Sequence, residues 1–489
     1  MNLFDIFLHM AEQQPNHPLI ITHAETYTYR DVQLQIADLM TTLKARGVKA
    51  QSCVGLHYPN GLEYITLTYA IWGCGACVVP IPTELSSQEK QQIFENIAID
   101  AVISKADLLA DLELAPDVAA ISLSTDARLA TVKPQRARPV GFEEVNAAFI
   151  RFSSGTTGTA KGVVLSHETI YARIQAANQG LHLCPDDRIV WLLSMAYHFA
   201  VSIVAYLSFG ATILLAPNSF GATIIRLAAK NKATIIYAAP THYALMTQDR
   251  GDQALPDLRL AIVTTTALPT DIATAFQRRF QMALNETYGI IEVGLPCINL
   301  GKPGEKQGSV GQLLPAYEIQ IAPLDATNNG ATTNVGAIQL RGAGLVDAYY
   351  EPWQTRTEIL ARNDGWFATG DLGEMDAEGY LYIRGRSKEV ISVGGMKFFP
   401  QEVEAVLETH PAIQEACVFR YPDKRLGDIP HAHLTKVSAH IPTPTAEELN
   451  AFCAERIALH KVPVEFCFVP NLLRTASGKL IRDAAQLTS

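Results

Sequence analysis

The sequence predicts an α/β protein in which a large N-terminal domain is built on parallel sheets. Short apolar runs alternate with helical patterns between Val54 and Phe280, an alternation typical of parallel β-α units. The stretch from Ile189 to Ile225 has no charged residue, as expected for strands that are covered on both faces. Beyond about Gly301 the chain changes to short, glycine-rich, alternating strands, which predict a small β-barrel-like subdomain.

The elements of the first part of the chain follow from these patterns in order. Helical patterns between residues 3 and 48 flank a predicted pair of short strands, and later helices are predicted where polar and apolar residues recur at helical spacing. Predicted strands are Leu19–Thr22, Thr26–Tyr29, Val54–Leu56, Cys77–Pro80, Ala101–Ser104, Ala147–Phe152, Ile189–Leu193, Ala211–Ala216, Ala233–Ala238, Leu260–Val263 and Gln281–Leu284, and predicted helices are Glu63–Trp72, Ser86–Asn96 and Leu268–Phe280.

The last part of the chain, from Lys388 onwards, has a mixed α+β pattern of its own. Pro400–Leu407 is a predicted helix with proline in its first turn, and Cys417–Phe419 and Cys467–Val469 are predicted strands. Glycine and exposed charge interrupt the apolar pattern at Gly385–Lys388. We therefore expect a domain boundary there.

Composition excludes several classes of protein. A chain of 489 residues with 48% hydrophobic and 18% charged residues is typical of a globular protein with two or more domains. The net charge of −10 disfavours unspecific binding to nucleic acid or to anionic membranes. The uncharged stretch is broken by His198, Gly210 and Pro217, which disfavours a membrane span.

The cysteines and the N-terminus favour a cytoplasmic protein. The eight cysteines lack paired spacing apart from Cys74 and Cys77, which lie in an apolar run where core packing is expected. The first residues lack the basic segment of a signal peptide. Reduced thiols are therefore expected.

One loop, Phe152–Gly162, is rich in hydroxyl side chains and glycines and has a single cation, Lys161. Glycines allow backbone N–H groups to approach phosphate oxygens closely, and lysine adds a point charge. The spacing excludes a Walker A loop, because Ala160 precedes the lysine and Gly162 follows it. A flexible connector without a ligand is the alternative, but such connectors rarely stand between two apolar strands.

This loop resembles the phosphate-binding signature of the adenylate-forming superfamily, which includes acyl-CoA synthetases, aryl-CoA ligases, luciferases and adenylation domains. The sequence departs from that signature in having Ala160 where proline is usual. The resemblance implies that Thr156 and Lys161 are catalytic. It also implies nucleotide binding by Ser153, Ser154, Gly155, Thr156, Thr157, Gly158 and Lys161.

The segment Tyr288–Glu292 combines a ring that can stack on a purine with a carboxylate that can hold Mg2+. By itself it could be a surface turn. It is similar to the superfamily's Y-G-x-T-E motif, which implies that Tyr288 and Gly289 contact the nucleotide and that Glu292 binds the magnesium of MgATP. Ile291 replaces the usual threonine and removes a hydroxyl.

Two segments match further superfamily motifs around a ribose and a hinge. Gly365–Asp371 resembles G-W-x-x-T-G-D, which implies that Asp371 accepts hydrogen bonds from the ribose hydroxyls and that Arg386 contacts the same sugar. Lys388 matches the hinge position. The resemblance thus implies an N-terminal domain at residues 1–385, a hinge at 386–388 and a small mobile C-terminal domain at 389–489.

Lys479 lies in a segment similar to P-R-T-x-S-G-K, with Leu473 in place of the proline. The resemblance implies that this lysine bridges the carboxylate and the α-phosphate, where a fixed ammonium group would lower the barrier between two anions. Gly394 and Gly395 lie in a loop that resembles the lining of the pantetheine tunnel in thioester-forming members.

The predicted acyl pocket suggests an acid of modest size. A lone histidine in an apolar run is more often a hydrogen-bonded core residue than a catalyst. His198 nevertheless matches a superfamily position at the junction of the acyl and thiol channels, and this resemblance makes a catalytic role about as well supported as a core role. No carboxylate follows it that could bind an ammonium group, which disfavours an α-amino acid. Threonines stand at positions where the superfamily usually has glycines, and their larger side chains should narrow the pocket near the adenine and the acyl group. The predicted lining is His198, Phe199, Ser202, Tyr237, Thr264, Thr265, Thr266, Ile290 and Ile291.

The predicted activity is two-step ligation: a carboxylate and MgATP give acyl-AMP, and a thiol then gives a thioester, most simply acyl-CoA. The phosphopantetheine thiol of a separate carrier protein is the alternative acceptor. A nucleotide-binding protein without turnover is a remote alternative. ATP, Mg2+ and coenzyme A are therefore the expected cofactors.

Overall fold

A computed structural model of the chain describes residues 1–115, 118–123, 126–152, 161–323, 334–394, 396–475 and 479–487. These residues form two compact units, one of residues 1–152, 161–318 and 341–367 and the other of residues 319–340 and 368–487. Each unit has its own sheets and its own apolar core.

Strands occur along the whole of the described chain. They are β1 (Pro18–Ile21), β2 (Thr26–Thr28), β3 (Cys53–His57), β4 (Cys77–Pro80), β5 (Ala101–Lys105), β6 (Ala120–Ser122), β7 (Ala127–Thr131), β8 (Ala147–Phe152), β9 (Gly162–Ser166), β10 (Arg188–Trp191), β11 (Thr212–Leu215), β12 (Ile235–Ala238), β13 (Leu260–Val263), β14 (Asn285–Ile290), β15 (Gly294–Ile298), β16 (Gln312–Leu313), β17 (Tyr317–Pro323), β18 (Gly336–Gly342), β19 (Ala348–Tyr350), β20 (Trp353–Thr355), β21 (Phe367–Met375), β22 (Leu381–Arg386), β23 (Ile391–Val393), β24 (Met396–Phe398), β25 (Ile413–Asp423), β26 (Gly427–Lys436) and β27 (Glu465–Phe468).

The helices connect these strands. They are α1 (Leu3–Gln13), α2 (Tyr29–Ala45), α3 (Leu62–Gly73), α4 (Ser87–Asn96), α5 (His167–Leu181), α6 (Met195–His198), α7 (Val204–Ser208), α8 (Gly221–Lys230), α9 (Pro240–Gln248), α10 (Thr270–Phe280), α11 (Arg356–Ala361), α12 (Pro400–Leu407), α13 (Ala446–Ala454) and α14 (Ala484–Leu487). A π-helical segment, Phe199–Ile203, joins α6 to α7.

Two nine-stranded sheets confirm the predicted α/β fold of the first unit. One has the order β16-β15-β14-β13-β12-β10-β11-β1-β2 and the other β20-β19-β9-β8-β4-β3-β5-β7-β6. The inner strands are parallel and the strands towards the edges are antiparallel. The uncharged stretch divides into β10, α6, the π-helical segment, α7, β11 and the start of α8.

Helix α3 shows why the run around Cys74 and Cys77 is apolar. Leu62 and residues 64–72 are buried on every side of this helix, so it belongs to the core rather than to the surface. Cys74 and Cys77 are buried free thiols at its end and in β4, and burial raises the pKa of both. The predicted core role of these cysteines is confirmed.

The second unit contains a five-stranded sheet and most of a four-stranded one. Strands β24-β23-β26-β25 pair in that order, with β27 on β26, and helices α12 and α13 contribute Val403, Leu407 and Leu449 to the core. The predicted β-rich subdomain is observed as the sheet β17-β18-β21-β22. Residues 368–385, which include most of the antiparallel pair β21–β22, belong to this unit, whereas the sequence places them before the boundary. The hinge at Lys388 stays a prediction.

Candidate functional site

The Tyr288–Glu292 segment runs from a strand into a turn. Tyr288 is buried within β14, and residues 291–293 form the turn before β15. Gly289 is required in this hairpin, because a Cβ atom there would be 2.5 Å from the carbonyl oxygen of Gly294. The strand predicted at Gln281–Leu284 is wrong: pairing with β13 starts only at Asn285, which lies opposite Ile262.

Glu292 lies beside a tyrosine that also contacts Lys161. The hydroxyl oxygen of Tyr349 in β19 is 3.5 Å from Oε1 of Glu292, and the Nζ atom of Lys161 is 4.4 Å from the centroid of the Tyr349 ring. Burial raises the pKa of Tyr349, and the Glu292 carboxylate raises it further. The pairing of β19 with β9, which follows Lys161 directly, places Tyr349 in contact with the predicted phosphate ligand as well as with the predicted metal ligand.

Arg173 of helix α5 holds the turn that carries Glu292. Its NH1 group donates to the carbonyl oxygen of Ile291 at 2.7 Å, and its Nε–H donates to the carbonyl oxygen of Gly344. The side chain is buried, and burial lowers the pKa of the guanidinium to about 10. No sequence motif indicates this residue.

Aromatic rings surround His198 in the predicted acyl pocket. Tyr237 stacks on Trp191 with ring centroids 5.7 Å apart, and the His198 ring lies edge-on at 6.0 Å from Trp191 and 6.1 Å from Tyr237. Burial raises the pKa of Tyr237, and the nearby side chains of Thr264 and Ser202 act in the opposite direction. Four residues of the predicted lining therefore lie together, and Trp191 is an addition that the sequence does not indicate.

Phe199 has a packing role instead. Its ring is fully buried and lies 5.6 Å from Tyr64 and 5.8 Å from Trp72 of helix α3. Phe199 begins the π-helical segment, a distortion that is frequent at functional sites because it changes the direction in which side chains point.

The threonine segment after β13 has a strained backbone. Thr264 and Thr265 are half-buried and Thr266 is exposed. Thr265 has a φ of 81°, in the left-handed region that a β-branched residue rarely adopts. Ile290 and Ile291 are also half-buried. The structure thus gives a backbone reason why glycine would suit position 265.

Asp371 and Arg386 form a pair in the second unit. They lie directly opposite each other in β21 and β22, and Nε of Arg386 is 3.2 Å from Oδ1 of Asp371. The Asp371 N–H donates to Oγ1 of Thr369, whose hydroxyl donates to the carbonyl oxygen of Ile338. The two predicted ribose contacts are therefore held on neighbouring strands.

Three other predicted residues of this unit are near its surface. Lys388 is exposed in the turn after β22, and Gly394, with a φ of 57°, donates its N–H to the carbonyl oxygen of Leu426 at 2.8 Å. Lys479 is exposed; its carbonyl oxygen accepts from the Thr475 N–H at 2.8 Å, and its own N–H donates to Oγ1 of Thr475 at 3.2 Å. This pairing fixes the backbone from which the lysine side chain projects.

Several predicted nucleotide and pantetheine contacts lie outside the described residues. They are Ser153, Ser154, Gly155, Thr156, Thr157, Gly158 and Gly395.

The residues present suit a magnesium ion that arrives with a nucleotide. Within the described ranges, no group of three or more histidine, cysteine or acidic side chains could hold a metal ion. Mg2+ usually takes one or two protein carboxylates and completes its shell with water and substrate phosphates. A single carboxylate at Glu292, close to Lys161, fits that mode of binding.

Comparison with protein-family models decides the family. The model described as AMP-binding enzyme matches residues 7–350, and the model described as AMP-binding enzyme C-terminal domain matches residues 402–479. The chain belongs to the AMP-binding enzyme family. This membership confirms the predicted class, an AMP-forming ligase.

Curated relatives of this AMP-binding enzyme are CoA ligases. It is similar to a sulfoacetate–CoA ligase of Cupriavidus necator (29% identity over 96% of this chain and 95% of the relative). It is also similar to a 2-succinylbenzoate–CoA ligase of Bacillus cereus (28%, 96% and 95%) and to an indoleacetate–CoA ligase of Aromatoleum aromaticum (29%, 97% and 95%).

Solved structures confirm the fold. The o-succinylbenzoate CoA synthetase of Bacillus subtilis in complex with its acyl-adenylate has a TM-score of 0.82 at 23% identity, with 99% of this chain and 98% of the other covered. The ATP-bound MatB of Rhodopseudomonas palustris has a TM-score of 0.80 at 23% identity, with 100% and 99% covered.

In the part of the chain that the structure describes, every helix is too short or too polar to cross a bilayer.

Proposed function

We propose that this AMP-binding enzyme activates a carboxylic acid of modest size and transfers it to coenzyme A. The acid carboxylate attacks the α-phosphorus of ATP, which forms acyl-AMP and releases pyrophosphate. The thiol of coenzyme A then attacks the acyl carbon, which forms the thioester and releases AMP and a proton. The names of the relatives, all CoA ligases that align along nearly the whole chain, support coenzyme A as the acceptor.

The observation that carries this proposal is the match of both family models, because residues 7–350 include Lys161 and Glu292 and residues 402–479 include Lys479. The grouping of Lys161, Tyr349 and Glu292 is consistent with it, since a cation and a carboxylate suit a nucleotide with its metal ion. When bound, Mg2+ would neutralise phosphate charge.

Each remaining site residue has a proposed task. Asp371 accepts hydrogen bonds from the ribose hydroxyls, and Arg386 orients its carboxylate. The aromatic group of Trp191, His198 and Tyr237 encloses the organic part of the acid. Lys479 supplies an ammonium group to the charge that develops on the α-phosphate. Lys388 is the proposed hinge of the C-terminal part.

The proposed compartment is the cytoplasm. All eight cysteines are free thiols, which suits a reducing environment.

A two-part experiment tests the proposal. A panel of acids is incubated with enzyme, MgATP and coenzyme A, pyrophosphate release is measured, and products are identified by mass spectrometry. We expect an acyl-CoA and AMP with the preferred acid. Replacing Lys479 with alanine should lower the rate by about 10²–10³-fold, whereas Lys424→Ala, another exposed lysine of the same unit, should leave it unchanged. Near-normal pyrophosphate release by Lys479→Ala would refute its role.

A further inference from the structure

Arg151 is a cation at the carboxyl end of strand β8, two positions before Ser153. Strand β8 runs parallel to β4, and in open α/β sheets ligands bind at the carboxyl ends of parallel strands. The neighbours of Arg151 in the strand, Ile150 and Phe152, belong to the apolar core. A charge inside this strand therefore needs a reason.

The Arg151 guanidinium makes few interactions. Its NH1 group donates to the carbonyl oxygen of Tyr197 at 2.7 Å, and its Cζ atom lies 5.1 Å from the centroid of the Tyr197 ring. Its Nε atom is buried and, among the described residues, has neither a hydrogen-bond partner nor a carboxylate with which Arg151 forms an ion pair. Burial lowers the pKa of this group, while the nearby Tyr197, Glu292 and Tyr64 have the opposite effect.

A second orphaned polar group shares this neighbourhood. Tyr64 of helix α3 is fully buried, and its hydroxyl has no hydrogen-bond partner among the described residues. Burial raises the pKa of Tyr64 and the Glu84 carboxylate adds to the rise, whereas the charge of Arg151 opposes it. The Tyr64 ring lies 5.6 Å from the ring of Phe199, two positions after Tyr197, whose carbonyl oxygen accepts from Arg151.

A structural role explains these two groups poorly. An enclosed charge without an acidic partner lowers stability, and a buried hydroxyl without a hydrogen bond adds a further cost. An apolar side chain would stabilise this part of the fold better. Unsatisfied polar groups at the ligand edge of a sheet are explained when a ligand completes their interactions.

We propose that Arg151 and the Tyr64 hydroxyl bind a carboxylate of the acid substrate. A guanidinium can donate two parallel hydrogen bonds to the two oxygens of a carboxylate, and a phenol adds one more donor. Tyr197, which accepts from Arg151, directly precedes His198 of the aromatic group, and Glu292 is within electrostatic reach. The inference rests on the proposed function and specifies how that site recognises its acid.

Either of two carboxylates could be the ligand: the reacting group, or a second acidic group elsewhere on the acid. Matched pairs of acids distinguish them, namely butanoate with butanedioate and benzoate with benzene-1,2-dicarboxylate. Acid-dependent exchange of labelled pyrophosphate into ATP is measured for wild-type enzyme, Arg151→Met, Arg151→Lys and Tyr64→Phe. In parallel, the thermal shift that each acid produces without ATP is recorded.

We expect Arg151→Met to keep or raise the melting temperature of the ligand-free protein. We expect it to raise the KM for the acid by at least about tenfold, to abolish the thermal shift, and to be partly rescued by lysine. If Arg151→Met weakens binding of both acids of a pair, the ligand of Arg151 is the reacting carboxylate. If it weakens binding of the diacid alone, the ligand is the second acidic group. Arg188→Met is the control, because Arg188 also donates to a single backbone carbonyl, that of Asn231; its KM should stay normal.

Other outcomes overturn the inference. If wild-type enzyme is active and Arg151→Met lowers the melting temperature but leaves the KM for every acid unchanged, Arg151 is structural and the proposed function stands. If wild-type enzyme shows no exchange, the proposed function fails, and the thermal shifts decide the carboxylate site separately. If Arg151→Met does not fold, Tyr64→Phe decides: an unchanged KM refutes the site.

Discussion

Thr265 shows how a single residue can store strain in this site. Its φ of 81° is a conformation that glycine adopts freely and that costs other residues about 1–3 kcal/mol. Replacing Thr265 with glycine would relieve this strain. Glycine also makes the unfolded chain more flexible, which offsets about 0.4–1 kcal/mol of the stability gained. Thr265→Gly should therefore raise the free energy of unfolding, by about 1 kcal/mol in chemical denaturation, and should widen the range of acids accepted.

Thr266→Gly is the matched control for that change. Thr266 is exposed and its backbone is not in the left-handed region, so glycine should lower the free energy of unfolding by about 0.5–1 kcal/mol. Equal destabilisation by both substitutions would show that position 265 is not strained.

Glu286 is a residue whose ionisation should affect stability. Burial raises its pKa to about 7, while the hydrogen bond from the Gly308 N–H acts in the opposite direction. An acid with a raised pKa stabilises the fold fully below its unfolded pKa, about 4.3, and this contribution is lost as the pH rises through 7. Between pH 4.5 and 8 the loss would be up to about 3 kcal/mol.

Glu286→Gln should remove this pH dependence, since an amide oxygen can still accept from Gly308 without becoming charged. Urea unfolding should show that the free energy of unfolding of the variant, relative to that of the wild-type protein, is higher at pH 8 than at pH 5. Glu318→Gln, on the exposed part of β17, should show no such trend. If the free energies of unfolding of Glu286→Gln and wild type differed by the same amount at both pH values, the assignment of this pH dependence to Glu286 would be wrong.

At the scale of elements, Arg482 ties the C-terminal segment to helix α12. Its NH2 group is 2.8 Å from Oε2 of Glu404 and its NH1 group 3.4 Å from Oε2 of Glu389. Glu404 also accepts the N–H of Val418. Burial raises the pKa of Glu404, whereas the charge of Arg482 and its hydrogen bond oppose this rise.

Removing one partner of a buried ion pair leaves an uncompensated charge. Arg482→Ala should therefore lower the free energy of unfolding of this unit by about 3–5 kcal/mol, measured by denaturant titration. The exposed Lys424→Ala should change it by less than about 0.5 kcal/mol. If Arg482→Ala lowered the free energy of unfolding as little as the control Lys424→Ala, the ion-pair network would contribute little to stability.

The elements that the sequence predicts correctly are those with a clear local pattern. Strands β3, β4, β5, β12 and β13 are short apolar runs between turn residues, and their bounds agree closely with the prediction. Strand β14 is missed because its residues, Asn285–Ile290, are mostly polar and extended only through pairing with β13 and β15. The run at Gln281–Leu284 therefore predicts a strand where the structure has none.

Parts of the site depend on distant contacts that local patterns do not contain. Asp371 and Arg386 are predicted as a pair because each matches a motif, and β-hairpin register then places them opposite each other. Arg173 and Trp191 match no motif, since their roles arise from packing between elements far apart in sequence. The one local hint for Arg151 is a cation within the apolar run Ala147–Phe152.

For the whole molecule, the sequence predicts two parts but not how the chain is divided between them. Residues 319–340 and 368–385 join the compact unit that holds the C-terminal residues, although residues 341–367 belong to the first unit. Such interleaving follows from the pairing order β17-β18-β21-β22, a non-local property that composition along the chain does not reveal.

The central claim is that this AMP-binding enzyme forms an acyl-adenylate, and exchange of labelled pyrophosphate into ATP tests it most directly. We predict exchange that requires both the acid and the enzyme and that falls sharply in Asp371→Asn through a higher KM for ATP. Exchange that is absent with every acid while ATP still binds, or that proceeds equally without acid, would contradict the claim.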